Sequence, residues 1–70
     1  MIEYTKHARQ RMKERHVSED QVEATILDPE SWQYGEDGEI IATRKVGKRR
    51  VEVAHLSLPE KIKVITVMVD

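Results

Sequence analysis

At Asp28-Pro29 the rhythm of this sequence changes from helical to extended and does not change back. Upstream, apolar residues recur at helical intervals: Ala8 and Met12 stand four apart, and Val22, Ile26 and Leu27 continue a buried face. Downstream they alternate at intervals of two, as in Trp32 with Tyr34 and Val51 with Val53 and His55, which is the period of an extended strand. Helical segments first and strands afterwards give an α+β class.

Local punctuation fixes the expected elements. Ile2-Glu3-Tyr4 alternates as a short strand and ends at Thr5, whose hydroxyl suits the first free amides of a helix running from about Lys6 to Arg15. His16-Val17 breaks that helix. Ser18-Glu19-Asp20-Gln21 then forms a capping box, with Val17 and Val22 placed as a hydrophobic staple, and Asp28-Pro29 ends the second helix. Gly35-Glu36-Asp37-Gly38, Gly47-Lys48 and Ser57-Leu58-Pro59-Glu60 are turn sequences separating extended runs at Glu39 to Val46, Arg49 to Leu56 and Ile62 to Val69. The expectation is a short N-terminal strand, two helices, then a three- to four-stranded antiparallel sheet. The last run is apolar on both sides, with Ile62, Val64, Thr66 and Met68 on one and Ile65, Val67 and Val69 on the other, as for a strand inside a sheet.

Seventy residues leave room for a single domain, 1-70, because a shorter stretch buries too little apolar surface for a core of its own. With no cysteine, neither a disulfide framework nor a thiolate metal site is available to staple it. No apolar run approaches the roughly 18 residues of a membrane span, and the amino end lacks the marks of a secretory signal, so a cytoplasmic address is the default expectation.

The net charge is -1, which alone argues against simple polyanion binding. Its distribution is uneven. Lys6, Arg9, Arg11, Lys13 and Arg15 crowd the first helix, Arg44, Lys45, Lys48, Arg49 and Arg50 crowd a hairpin, and Glu19 to Glu39 between them carries acids with no Lys or Arg. These charges either form solvated faces that pair across elements or gather into one basic face on folding. No metal site is expected, since His7, His16 and His55 make no ligand cluster. Nor is a cofactor, because the glycines lie in turns rather than in a phosphate-cradling loop, and no Gly-x-Ser-x-Gly elbow occurs.

More specific is the string Tyr4-Thr5-x-His7-Ala8-x-x-Arg11-Met12-x-x-Arg15, followed by Val17, Val22, Asp28-Pro29-Glu30 and the closing Val64-Ile65-Thr66-Val67. Over nearly the whole chain it resembles the bacterial family described as domain of unknown function 4258. That resemblance implies a fold near the RelE/ParE-like toxins and the colicin and barnase-like ribonucleases. It further implies a toxin or toxin-related role, with RNA or the ribosome as target and a cognate antitoxin protein as partner. His7, Arg11, Arg15 and Thr66 occupy the family's recurring polar positions.

Cleaving RNA without a metal requires a base for the 2′-hydroxyl, an acid for the leaving 5′-oxygen and positive groups around the phosphate. His7, Arg11 and Arg15 stand four apart on one helical stripe; an imidazole exchanges protons near neutral pH, and guanidinium groups hold phosphate oxygens with paired donors. Thr66 would orient a group or donate one hydrogen bond. His55 or Tyr4 would supply the second proton-transfer group if folding brought either near His7. Each residue has a plainer role: His7 as packing at a helix end, Arg11 and Arg15 in ion pairs with the acidic second helix, His16 as a helix-terminal cation, Thr66 as a β-branched strand residue, Trp32 and Tyr34 as edge packing. Two other functions fit the same residues: a non-catalytic module binding an acidic protein or a nucleic-acid backbone, and a domain whose edge strand pairs with a partner or a second copy in a homodimer.

Overall fold

The computed structural model describes residues 1–70. Seven elements follow in the order β1 (Ile2–Tyr4), α1 (Lys6–Arg15), α2 (Glu19–Leu27), β2 (Ser31–Tyr34), β3 (Ile40–Val46), β4 (Arg49–Ser57) and β5 (Ile62–Val69). Their boundaries come from short-range chemistry. The Thr5 hydroxyl accepts from the Ala8 amide at 3.0 Å and opens α1. Ser18 and Gln21 bond each other's backbone at 3.1 and 3.0 Å and open α2. Between them α1 closes in a Schellman turn, in which the Val17 amide donates to the Met12 carbonyl at 2.9 Å and the His16 amide to that of Lys13. His16 takes the left-handed conformation this turn needs, φ 56 and ψ 51, where glycine is usual.

The sheet order is β1-β5-β4-β3-β2, and every pairing is antiparallel except that of β1 with β5. The sheet therefore has five strands and is mixed, because β1 joins it as a parallel edge through Ile2↔Ile62, Glu3↔Lys63 and Tyr4↔Val64. Both helices lie on one face. Ala8 and Met12 of α1, Val17 and Val22 pack with Val51, Val53, Val64 and Val67 of the sheet into one core built largely of valine. Thr25 is also buried there, and its hydroxyl donates to the Gln21 carbonyl one turn back at 2.8 Å. No helix is long and apolar enough to cross a membrane.

Strict alternation along β5 does not hold. His55 is opposite Val64 and Ala54 is opposite Thr66, so Ile65 is an extra residue, a β-bulge. The bulge resets the phase: Val64 and Val67, three residues apart, both enter the core, and Thr66 stands one register step from Val67.

Candidate nucleic-acid groove

Beyond Tyr4 the chain leaves the sheet for α1, so β1 covers only residues 62–64 of β5. The rest of that strand is an open edge. Arg50 and Asp70 exchange both backbone bonds, at 3.4 and 2.9 Å. In the antiparallel pattern this phase points the amides and carbonyls of Met68 and Thr66 at β4, and those of Val67 and Val69 outward. Helix α1 lies along this edge. Its core side chains, Ala8 and Met12, fix its rotation, and the neighbouring stripe of His7, Arg11 and Arg15 is thereby aimed at the edge.

Both ends of α1 are tied to the sheet. At the start, the Thr5 hydroxyl that caps the helix also donates to the carbonyl of Ile65, the bulge residue, at 2.8 Å. At the finish, the guanidinium of Arg49 donates to the Arg15 carbonyl through one nitrogen and to the His16 carbonyl at 2.8 Å through the other. A cation over the last carbonyls also suits the negative pole of the helix. Arg49 is thus committed to structure. Nothing local in the sequence announces this role, because its partners lie on a helix over thirty residues earlier.

Between α1 and the edge runs an open groove of about 430 Å³, lined by His7, Arg11, Arg15, Thr66, Val67, Met68 and Val69. Four of the five residues expected at a site meet here. The acidic second helix does not neutralise them, since its Glu19 pairs at 2.6 Å with Arg9, whose guanidinium also lies 4.3 Å over the Tyr4 ring. Arg11 has only a loose contact of 3.7 Å with Glu14 on its own helix, and Arg15 has no ion pair.

The fifth residue, His55, is not in the groove. It is buried, in register with Ile40 and the core residue Val64, and its Nδ1 lies 3.3 Å from the Val53 carbonyl. Tyr4, the other candidate for a second proton transfer, is also outside. Its hydroxyl is sealed without a hydrogen-bond partner, and burial first, then Glu19 and Glu23, pushes its ionisation above the usual tyrosine range. Trp32 and Tyr34 stack edge to face at 5.2 Å on exposed strand β2, at the opposite side of the sheet.

A depression beside β2 is lined by Glu30, Glu52 and Arg50 and by no imidazole, so it offers neither net positive charge nor a neutral-pH proton carrier. No three His, Asp or Glu side chains gather closely enough to hold a metal ion.

No curated protein and no solved structure matches this chain. The family described as "Domain of unknown function (DUF4258)" matches residues 4–69, a span that includes the last residue of β1, both helices, strands β2 to β5 and all four groove-lining polar residues. The chain belongs to that family.

Proposed function

We propose that this domain is a RelE-like, toxin-related ribonuclease that binds single-stranded RNA in the α1–β5 groove and cleaves it without a metal. One observation carries the reading: His7, Arg11 and Arg15 of α1 and Thr66, remote from them in sequence, line one open groove, and no acid on another element pairs with either arginine. In the proposed reaction the His7 imidazole takes the proton of a ribose 2′-hydroxyl, and that oxygen attacks the adjacent phosphorus. Arg11 and Arg15 hold the non-bridging oxygens as negative charge builds on them, with Thr66 donating one further bond. The bond from phosphorus to the 5′-oxygen breaks. That oxygen leaves with a proton from water, and the resulting hydroxide takes the proton held by His7, giving a 2′,3′-cyclic phosphate and a 5′-hydroxyl.

The test is RNA cleavage by the purified protein with a chelator present. His7→Ala should lower the rate by about 100-fold or more, the usual worth of a positioned acid-base group, while RNA binding persists. Equal rates in the two proteins would remove His7 from the mechanism. A second reading is favoured by a specific feature, since the groove contains a single imidazole and neither a carboxylate nor a phenol. On that reading the domain binds RNA and leaves it intact, and saturable binding with no cyclic-phosphate product would establish it.

A further inference from the structure

The cationic surface does not stop at Arg15. Asp70 follows Val69, the last residue lining the groove, and lines a second depression of about 350 Å³ together with Lys45, Lys48, Arg49 and Arg50. The two are joined by bonds as well as by sequence. Arg49 lines the second depression and grips the carbonyl of Arg15, which lines the first, and Arg50 exchanges backbone bonds with Asp70. The two basic clusters of the sequence therefore meet end to end.

The charges along this path are available to a ligand. Lys45, Lys48 and Arg50 are exposed and have no ion pair. Two carboxylates border them, Asp70 inside the depression and Asp20 beyond Lys45, and neither comes within ion-pairing distance. Glu30 and Glu52, beside Arg50 on the uncovered face of the sheet, disfavour an anion there and keep the favourable path on the β5 edge and hairpin tip.

Helix α1 alone separates His7 from Arg15 by about 12 Å at 1.5 Å per residue, and the hairpin lies beyond. A mononucleotide cannot reach both ends of such a track. An extended polyanion can, and a trough between a helix and a strand edge admits a single strand rather than the broad cylinder of a duplex.

We infer that the β3–β4 hairpin tip is a second phosphate subsite, formed by Lys45, Lys48 and Arg50, and that the ligand is a single-stranded polynucleotide threaded from His7 along the β5 edge to that tip. The subsite rests on the groove being a polynucleotide site but not on cleavage. Five cations then contact phosphates: Arg11 and Arg15 in the groove and three at the tip.

A fluorescent deoxy-oligonucleotide of about 12 nucleotides separates binding from catalysis, because it lacks the attacking hydroxyl. At about 0.7 per phosphate contact, the slope of log affinity against log salt should be about -3.5 for the wild type and about -1.4 for K45Q/K48Q/R50Q. If the two proteins bind alike at about 1 M salt, where the electrostatic contribution vanishes, the variant should be weaker by about 100-fold at 0.1 M. The substituted residues are exposed, so the melting temperature should hold and confirm folding; binding of a single nucleotide 3′-phosphate should also be unchanged. An unchanged slope and affinity in the variant would overturn the subsite, as would failure of the wild type to bind the oligomer. Steep, tip-dependent binding without RNA cleavage would remove the catalytic reading and support the subsite.

Discussion

Replacing Arg49 with methionine should destabilise the domain by about 2 kcal/mol. The side chain makes two bonds to the carbonyls that end α1, and its aliphatic stem, half-buried, is largely preserved by the substitution. Charge-assisted hydrogen bonds contribute about 1.5 to 3 kcal/mol when shielded. Here Arg15 and His16 are exposed and water can satisfy their carbonyls, so about 1 kcal/mol per bond is the appropriate scale. The sum includes most of the interaction of the cation with the helix pole. For a domain of this size, 1 kcal/mol moves the melting temperature by about 4–8 °C, so R49M should melt about 8–16 °C lower. Arg49→Lys separates charge from geometry, because an ammonium keeps the cation but cannot span both carbonyls with a planar fork, and about half the loss is expected. Amide exchange should localise the change to the last turn of α1. Thermal melts followed by circular dichroism suffice, and an R49M midpoint within about 2 °C of the wild type would refute the idea that this side chain holds the helix end.

Tyr4→Phe removes a sealed hydroxyl that has no partner and should stabilise the domain by about 1 kcal/mol, read as a higher urea midpoint. The same variant carries a pH signature. Burial raises the ionisation of Tyr4 in the folded state above that of the unfolded chain, so the stability linked to the neutral phenol is intact below about pH 10 and is lost as pH rises toward the folded value. Y4F should therefore lose less stability than the wild type between about pH 9 and about pH 11, and identical losses would refute this account of Tyr4. His16→Gly relieves a left-handed residue that carries a Cβ, and after the added chain entropy of glycine a net gain of about 0.5 to 1 kcal/mol is expected in the same denaturation assay; a loss would mean that the His16 side chain contributes more than its backbone costs.

What was legible in the sequence was local. Thr5, the Ser18 to Gln21 box, Asp28-Pro29 and the Gly47-Lys48 turn each act within a few residues, and the corresponding boundaries fell where those signals put them. The stripe of His7, Arg11 and Arg15 was legible for the same reason, since Ala8 and Met12 reveal which way the helix must turn. Features decided between strands were not. The parallel docking of β1 is invisible in three residues, and the bulge at Ile65 breaks the alternation from which the two sides of the last strand were inferred. Thr66 reaches the groove all the same. His55 shares the alternation of Val51 and Val53, and its polarity suggested chemistry where the fold uses it as a buried residue with one carbonyl contact. Among equivalent-looking cations only three-dimensional proximity distinguishes Arg9, engaged by Glu19, from Arg15, which is free.

The brevity of β1 leaves the outward amides and carbonyls of Val67 and Val69 as a ready template for another strand, the kind of border through which sheets polymerise. A second copy zipping on in antiparallel fashion would bring its own Arg11 and Arg15 against the first copy's pair, and their mutual repulsion opposes that union. The side chains that would draw in a nucleic acid would thus also act as a fence against such pairing.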